Sequence, residues 1–375
     1  EMLRSLVGSE MCIRDRAAPA RILFLSHSHP FGAFRVGSHH YARVLSERGA
    51  DVVHLSTPIS LIHRLTGRVD RQQLAGVPHR ARRDDDGVLQ VVPRTILPAP
   101  VGAPRVARML QHEGIAGGFD AVLIDQPLLW DASVRSLSPR VIYRPTDLYP
   151  DGVKHALQRR ILDEVDGVIA TSDEVLRGLG TLGTPSLVLG NGAEVVRFAP
   201  QVGEDRARAA RCVYVGALDG RFDWERVVAW ARARPDVGFV IAGPDARPPH
   251  TVPSNVDIIG PVPYAEVPAL LHTARVGLLP LSDSPLNAGR SPMKLYEYLA
   301  AGLAVVARET PGIRESSDLG IEVYDDDRGA DAALERALGH PSPNHAGMDA
   351  ASSASWERKT DSLEDFLWSV ERRRT

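Results

Sequence analysis

Short apolar runs alternate with amphipathic segments along most of this 375-residue chain. The runs have the length of buried strands, and the segments between them carry apolar residues at helical spacing. Strands that alternate with helices favour parallel sheets of the α/β class. In the first half, the predicted strands are 21–26, 51–56, 121–125, 141–144, 167–171 and 187–189. A helix is predicted after the first strand, from about 39 to 48, with Ser38 as its candidate cap.

The second half repeats this alternation after a polar stretch, 197–208, that marks a domain boundary. Its predicted strands are 212–215, 239–242, 256–259, 276–280, 303–307 and 321–324. Its predicted helices are 223–233, 264–273, one that begins at Ser291, and 356–373.

These elements predict two doubly wound, Rossmann-like α/β domains that face a cleft. We place the first domain at 17–200 and the second at 201–350. A C-terminal segment, 351–375, ends in a helix that we expect to pack back on the first domain. Residues 1–16 resemble the in-frame translation of a sequencing adapter, and we expect them to lie outside the fold.

The composition narrows the possible classes of function. A net charge of −3 gives no sign of nucleic-acid binding, so we expect no nucleic-acid partner. No apolar run approaches the roughly 20 residues of a membrane span. Two cysteines, Cys12 and Cys212, exclude a disulfide framework and favour a reducing, cytoplasmic location.

The strongest chemical signal is a predicted helix, followed by a buried strand, late in the chain. Ser291 and Pro292 suit its N-cap and its first helical position. Arg290 and Lys294 then lie at the positive end of the helix dipole, where each is misplaced by roughly 0.3–1 kcal/mol. A bound anion reverses that sign, so the pattern indicates a phosphate site. One turn later, Glu297 could accept hydrogen bonds from a ribose diol; the alternative is a surface helix with an exposed Lys–Glu pair.

Several predicted strand ends carry residues that could meet a ligand. At the first βα turn, the backbone of Arg35, Gly37 and Ser38 could approach a sugar or phosphate, and His39 follows; a plain helix cap is the alternative. Asn191, in a tight turn at a later strand end, is grouped with these four residues as a contact to the acceptor or the cleft. At further strand ends, Gly216 and Gly243 allow close approach of a ligand.

Metal binding has little support in the sequence. His27 and His29 form an HxH pair at a strand end, but a metal site needs further ligands, and none lies at a telling spacing. The acidic runs 84–86 and 325–327 are predicted to be solvated loops. We therefore expect neither a metal nor another cofactor.

Four motifs resemble bacterial polysaccharide glycosyltransferases of the GT-B fold, and within them the xanthan-type glucuronosyltransferase group. They are RVGSHHYARVLSERGADVVHLSTPIS from Arg35, YRPTDLYPD from Tyr143, VYVGALDGRFDWE from Val213 and MKLYEY from Met293. The resemblance covers nearly all of the chain after residue 16. It implies transfer of a sugar, with glucuronate as one candidate, from a UDP-sugar in the second domain to a lipid-linked saccharide or polysaccharide on the first.

The resemblance also implies roles for individual residues. Met293, Lys294 and Glu297 fall on donor-binding positions, and Asp147 falls on the position of the catalytic base in the inverting group. From the residues alone, Asp147 could equally be a helix cap. Gly289 stands where retaining relatives have a first glutamate, which favours inversion. Further donor contacts are placed at Ser291, Arg290, Gly216, Gly260 and Val262.

The segment from Arg64 to Arg83 is rich in arginine. It is either a solvated basic surface or a face that meets anionic lipid or a lipid-linked pyrophosphate. The second interpretation predicts peripheral contact with the inner face of the plasma membrane.

Two other functions are compatible with this architecture. A sugar-nucleotide 2-epimerase would use the same phosphate site but needs paired acids or histidines around the sugar. A non-catalytic assembly subunit would bind a nucleotide sugar or glycan without turnover.

Overall fold

The structure is a computed structural model that describes residues 19–32, 35–66, 76–101, 105–200, 208–244, 246–248 and 251–371. The chain forms two compact units, each with its own parallel sheet. The first unit comprises Glu1–Leu189 and Lys359–Thr375, and the second comprises Gly190–Arg358. The residues 190–200, which the sequence analysis assigned to the first domain, thus group with the second unit. Residues 1–16, predicted to be extraneous, lie outside the described part of the chain.

The first unit is built on an eight-stranded sheet. Its strands are β1 Arg21–Ser26, β2 Asp51–Ser56, β4 Arg82–Arg83, β5 Leu89–Val91, β7 Ala121–Ile124, β8 Val141–Tyr143, β9 Gly167–Ala170 and β10 Ser186–Val188. Two further strands, β3 Ile59–Ser60 and β6 Arg94–Thr95, pair with each other. The order is β10-β9-β8-β7-β1-β2-β5-β4, parallel except for β4 against β5.

Buried apolar residues on both faces explain why these strands are continuous apolar runs in the sequence. Leu23, Val53 and Val122 share one core cluster, while Ile22 and Phe24 are fully buried on the opposite face of β1. The helices of this unit are α1 Gly37–Glu47, α2 Leu61–Leu65, α3 Val106–His112, α4 Gly152–Glu164 and α5 Asp173–Gly178.

The second unit has a six-stranded sheet of order β13-β12-β11-β14-β15-β16, and its pairs are parallel. Alternate residues of β11, β12 and β15 enter two separate core clusters, one on each face. The strands are β11 Arg211–Val215, β12 Gly238–Ala242, β13 Val256–Gly260, β14 Val276–Leu279, β15 Ala304–Arg308 and β16 Ile321–Tyr324. The helices are α6 Val195–Phe198, α7 Trp224–Ala233, α8 Val267–Leu271, α9 Met293–Ala300, α10 Asp327–Gly339 and α11 His345–Ser353.

The last helix, α12 Trp356–Ser369, contacts the first unit over most of its length. The Phe366 ring packs so closely on Gly167 that a Cβ there would lie 3.0 Å from it. Arg48 forms ion pairs with Asp361, at 2.8 Å, and with Glu364. The final segment of the chain therefore completes the first unit rather than the second.

Two predicted helix starts are wrong. Helix α1 begins at Gly37 after Val36, and Ser38 does not cap it, because the Ser38 hydroxyl turns inward to Ser26 at 2.7 Å. Helix α9 begins at Met293 after Pro292, and Ser291 does not cap it, because its hydroxyl accepts a hydrogen bond from the Asn191 backbone N–H at 2.8 Å. In both cases a contact distant in sequence replaces a local cap.

Two further expectations change in the second unit. The predicted helix 264–273 is a 3₁₀ turn, Tyr264–Glu266, followed by the short α8. The acidic run 325–327 is not only a solvated loop, because the Asp326 carboxylate caps α10 by accepting from the Gly329 N–H at 2.9 Å. Among the described residues, no helix is long and apolar enough to cross a lipid bilayer.

Candidate functional site

In the second unit, three glycines lie at neighbouring strand ends, and one of them, Gly216, meets Lys294 at the start of α9. Gly216 follows β11, Gly243 follows β12, and Gly260 ends β13. Their backbones are linked, since the Gly216 N–H donates to the Ala242 carbonyl at 2.9 Å and the Gly243 N–H donates to the Gly260 carbonyl at 2.8 Å. The carboxyl ends of parallel strands, where these glycines lie, are the usual ligand site of this sheet type.

Steric contacts explain why two of these positions are glycine. A Cβ on Gly216 would lie 2.2 Å from Lys294 Cε and 2.7 Å from its Nζ. A Cβ on Gly243 would lie 1.9 Å from the Gly216 carbonyl oxygen. Gly260 has a φ of 72°, which disfavours a side chain, although a Cβ there would meet no atom within 4 Å. The glycines thus let the Lys294 ammonium lie directly against the β11 backbone end.

Lys294 stands in a cluster of cations. Burial and the nearby charge of Arg290 lower its pKa, Arg221 acts in the same direction, and Glu297 and Asp219 oppose the shift. The ammonium also lies 5.7 Å from the centre of the Tyr214 ring. Such a concentration of positive charge is costly without an anion, and it lies at the positive end of the α9 dipole.

Arg221 is held in place by Asp219. Three contacts between the guanidinium and the Asp219 carboxylate measure 2.6, 3.1 and 3.2 Å. The same carboxylate accepts the Arg221 backbone N–H at 3.0 Å. This compact turn directs a second guanidinium toward the Lys294 cluster, and the sequence analysis did not single it out.

Glu297 is only 8% exposed. Burial raises the pKa of its carboxyl, Lys294 opposes the shift, and Glu194 adds to it. Glu194 is itself buried and pairs with Arg197. The predicted solvent-exposed Lys–Glu pair is therefore excluded, and Glu297 is a buried acid one helical turn from Lys294.

The loop before α9 is fixed by a turn from the start of this unit. Asn191 donates its backbone N–H to the Ser291 hydroxyl at 2.8 Å and its side-chain amide to the Ser291 carbonyl at 2.7 Å. Met293 begins α9 and is partly buried, and Val262 packs against the core cluster beneath the helix. Asn191, which the sequence analysis grouped with the acceptor residues of the first domain, thus shapes the predicted donor site.

The first unit has a separate polar cluster at the carboxyl ends of β1, β7 and β8. Asp147 follows β8, and its Oδ2 lies 3.3 Å from the Thr146 hydroxyl. The same hydroxyl lies 3.0 Å from His27 Nε2, and His27 Nδ1 lies 3.0 Å from the Gln126 amide nitrogen. Asp147 does not cap α4, which begins at Gly152 after Asp151.

The charges around Asp147 are arranged differently from those around Lys294. Burial lowers the pKa of Lys154, and the nearby charge of Asp147 opposes this shift with a smaller effect. Beneath the cluster, Arg144 and Asp125 form a fully buried bidentate ion pair. The Arg144 guanidinium also stacks on the Tyr41 ring at 5.1 Å. Each cation in this cluster thus has an acid or an aromatic partner.

The predicted acceptor residues of the first turn have structural partners. Arg35 pairs with Asp86 at 2.8 Å. The buried Ser38 hydroxyl contacts Ser26 and, at 3.1 Å, His54 Nε2.

His39 accepts the Val36 N–H at 3.1 Å and donates to the Ser28 carbonyl at 3.0 Å. Burial and His54 lower its pKa, so it is neutral. Together with Gly37 at the start of α1, these residues shape the loop from within. Across the described ranges, no group of three or more His, Cys, Asp or Glu side chains is placed to hold a metal ion.

Residues 209–338, within the second unit, match the family described as Glycosyl transferases group 1. A curated relative, the putative teichuronic acid biosynthesis glycosyltransferase TuaH of Bacillus subtilis (strain 168), is 28% identical over 242 residues. The match covers 59% of this chain, and the chain spans 59% of that relative's length.

Two solved structures share the fold. Sucrose-phosphate synthase from Thermosynechococcus elongatus superposes with a TM-score of 0.68 at 15% identity, over 92% of this chain and 98% of the other. Anabaena HepE, solved in complex with UDP and glucose, gives a TM-score of 0.65 at 15% identity, over 93% and 99%. The predicted GT-B fold of two Rossmann-like α/β domains is confirmed, whereas the narrower likeness to xanthan-type glucuronosyltransferases stays a prediction.

Proposed function

We propose that this protein is a metal-independent, inverting glycosyltransferase that moves a sugar from a UDP-sugar to a lipid-linked saccharide or polysaccharide. The observation that carries the proposal is the Lys294 cluster, where a half-buried lysine lies against Gly216 at the amino end of α9. The family match of the same unit and the complex of HepE with UDP and glucose support a nucleotide-sugar ligand there.

Each charged group at this site has a function in the proposed reaction. Lys294 and the first-turn N–H groups of α9 would stabilise the pyrophosphate and the negative charge that grows on it as the sugar leaves. Glu297, buried one turn away, would accept hydrogen bonds from the ribose hydroxyls. No step requires a metal, because the protein's own cations neutralise the leaving group.

Asp147 would be the general base. The acceptor O–H bond breaks as its proton moves to the Asp147 carboxylate, and the acceptor oxygen bonds to the anomeric carbon. The bond from that carbon to the UDP oxygen breaks at the same time, and its electron pair leaves with UDP. Attack from the face opposite to UDP inverts the anomeric centre, and the absence of a glutamate at Gly289 agrees with this outcome.

The proposal names the type of reaction but not one transferred sugar, and glucuronate is one candidate. The test is UDP release from a panel of UDP-sugars with a polyprenyl-linked saccharide extract, with the product's anomeric configuration read by NMR. Inverted product supports the proposal. Epimer interconversion without acceptor would instead identify a 2-epimerase, and tight UDP-sugar binding without any turnover would identify a binding subunit.

Contact with the inner face of the plasma membrane is part of the same proposal. In the basic segment 64–83, residues 67–75 lie outside the described part, and Arg80 and Arg83 are paired with Glu113 and Asp51. Stronger support for membrane contact comes from an exposed apolar surface. It lies on α2, which follows β3, and on the segment after β6, and β3 and β6 pair with each other. It comprises Leu61, Ile62, Leu65, Ile96, Leu97 and Val101.

Large exposed apolar groups on a short helix suit the boundary of a lipid layer. Leu65 is 77% exposed and Ile96 is 74% exposed, so a double Leu65→Glu, Ile96→Glu variant should fold normally. We expect it to sediment with anionic vesicles several-fold less than the unaltered chain. Equal sedimentation of the two proteins would remove this part of the proposal.

A further inference from the structure

We infer that Gln126, His27 and Thr146 form a one-directional chain of hydrogen bonds that positions the Asp147 carboxylate and assigns its two oxygens to different tasks. This inference rests on the proposed function only for the role of Asp147 as the base. The three residues are positioning residues, since they act on the substrate only through Asp147. The direction of each bond follows from the donor at the start of the chain.

The chain starts at a backbone group whose polarity is fixed. The Leu128 N–H, in the 3₁₀ turn Pro127–Leu129, donates to Gln126 Oε1 at 3.3 Å. Because the amide oxygen faces this donor, the amide NH₂ must face His27, and it donates to His27 Nδ1 at 3.0 Å. A nitrogen that accepts a hydrogen bond carries no proton, so the proton of the neutral ring is on Nε2.

The protonation state of His27 agrees with this direction. Loss of solvent around the ring lowers its pKa to about 3, the charges of Lys154 and Arg144 act in the same direction, and a hydrogen bond with the Asp125 backbone opposes the shift. The ring is therefore neutral at physiological pH and has one N–H to donate. That Nε2–H points at the Thr146 hydroxyl oxygen, 3.0 Å away.

The last step follows from the hydroxyl's single proton. Because Thr146 Oγ1 accepts from His27, its single hydrogen has one acceptor to meet, and we assign it to Asp147 Oδ2 at 3.3 Å rather than to the nearby Tyr149 hydroxyl, because a carboxylate is the stronger acceptor. A carboxylate oxygen that accepts such a bond is held in place and made less basic. Oδ2 is therefore the anchored atom, and Oδ1 is left to take the proton of the acceptor hydroxyl.

The same geometry shows that the chain orients and does not conduct protons. A relay would need a group at its far end that can accept a proton, and the Gln126 amide nitrogen cannot. The other groups close to Asp147 are Lys154, Tyr149 and Tyr143, and the negative charge of Asp147 acts to raise the pKa of each of them. The proton taken up by Asp147 must consequently leave to solvent after each turnover.

The test uses the full-length protein and two readouts. Nitrogen-15 NMR of the unaltered chain should show His27 as the neutral Nε2–H tautomer down to about pH 5. At fixed pH, the carbon-13 carboxyl signal of Asp147 in Thr146→Val should move from its position in the unaltered protein, because Oδ2 loses its hydrogen bond, and Thr146→Ser should restore it. In a turnover assay, Thr146→Val should lower kcat about tenfold with little change in KM, and Thr146→Ser should recover most of the loss.

A matched control and a third variant separate positioning from packing. Thr57→Val removes a hydroxyl that donates to the Ser26 carbonyl at 3.2 Å, and it should leave the Asp147 carboxyl signal and kcat unchanged. Gln126→Met should release the His27 tautomer and change the Asp147 carboxyl signal by less than Thr146→Val does. If the unaltered His27 is an Nδ1–H tautomer, or if Thr146→Val leaves the Asp147 carboxyl signal unchanged, the inference is wrong.

The NMR readouts do not need turnover. Absence of sugar transfer would contradict the proposed function and leave the hydrogen-bond chain to be decided by NMR. If sugar is transferred but the NMR signals of Thr146→Val match those of the unaltered protein, the proposed function stands and the proposed chain of hydrogen bonds is wrong.

Discussion

The two units place polar groups at the same edge of the same kind of sheet, yet they treat charge in opposite ways. In the second unit, burial and the charges of Arg290 and Arg221 lower the Lys294 pKa, while Glu297 and Asp219 oppose the shift. In the first, Arg144 is neutralised by Asp125, and Asp147 is reached through neutral groups. One site brings two further cations close to Lys294, and the other fixes the orientation of a single acid.

This difference indicates which chemical group each site is suited to bind or accept. Excess cations at a helix amino end are unfavourable until an anion arrives, so the second unit gains stability when a pyrophosphate binds. A carboxylate held by a hydroxyl, beside a histidine that stays neutral, is suited to accept a proton.

Removing the ammonium should have the largest effect. In Lys294→Met, we expect kcat/KM for the UDP-sugar to fall about 10³-fold, about 4 kcal/mol, because the charge of the leaving diphosphate loses its nearest cation. The thermal shift produced by UDP should disappear as well. Lys359→Met, which removes a half-buried lysine of the first unit, is the control and should behave like the unaltered chain. A UDP-induced shift that persists in Lys294→Met would contradict this account of the second unit.

Removing the acid should stop turnover and spare binding. Asp147→Asn should lower kcat by about 10²–10³-fold, because the acceptor hydroxyl loses its base. UDP should bind with unchanged affinity in calorimetry, since the two groups belong to different units. The exposed Asp151, four positions along the chain, provides the control Asp151→Asn. Unchanged turnover in Asp147→Asn would remove the base from the mechanism.

Filling the glycine space should weaken donor binding more than it slows the chemistry. In Gly216→Ala the new Cβ would lie 2.2 Å from Lys294 Cε, so the side chain must move away from the β11 end. We expect the donor KM to rise about tenfold, equivalent to about 1.4 kcal/mol, with a smaller change in kcat. Gly220→Ala is the matched control, because a Cβ there meets nothing within 4 Å. Equal effects of the two substitutions would refute the steric argument.

The pH dependence of binding should give the smallest effect. Burial and Arg290 lower the pKa of Lys294 to about 8 in the free protein, and a bound diphosphate should raise it. Between the two values UDP binding takes up a proton, so affinity should be flat below about pH 7 and fall several-fold as pH rises through 8 and beyond. Calorimetry in two buffers of different ionisation enthalpy measures this uptake. Proton release at pH 8 to 9 would show that the sign is wrong.

The sequence predicted the strands better than the helix ends. The bounds of β1, β2 and β16 agree with the prediction, because strands buried on both faces are continuous apolar runs. Helix α9 begins later than predicted, because the Ser291 hydroxyl accepts a hydrogen bond from the backbone of Asn191, 100 positions away. Such a contact leaves no local pattern.

The two sites also differed in how far the sequence could reveal them. The Lys294 site was predicted from the conflict between cations and the helix dipole, which is a local property. Asp147 was proposed through a family resemblance, and its partners were missed. His27 and Thr146 are 119 positions apart, and only the folded sheet brings their strand ends together. His27 was considered as a metal ligand, whereas its ring is a neutral hydrogen-bond donor.

The most direct test of the central claim is an experimental structure of the protein with UDP bound. The account predicts the pyrophosphate at the amino end of α9, with an oxygen within about 3 Å of Lys294 Nζ and others facing the first-turn N–H groups. The ribose should lie beside Glu297. A pyrophosphate bound elsewhere, with Lys294 still against an empty Gly216, would contradict the account.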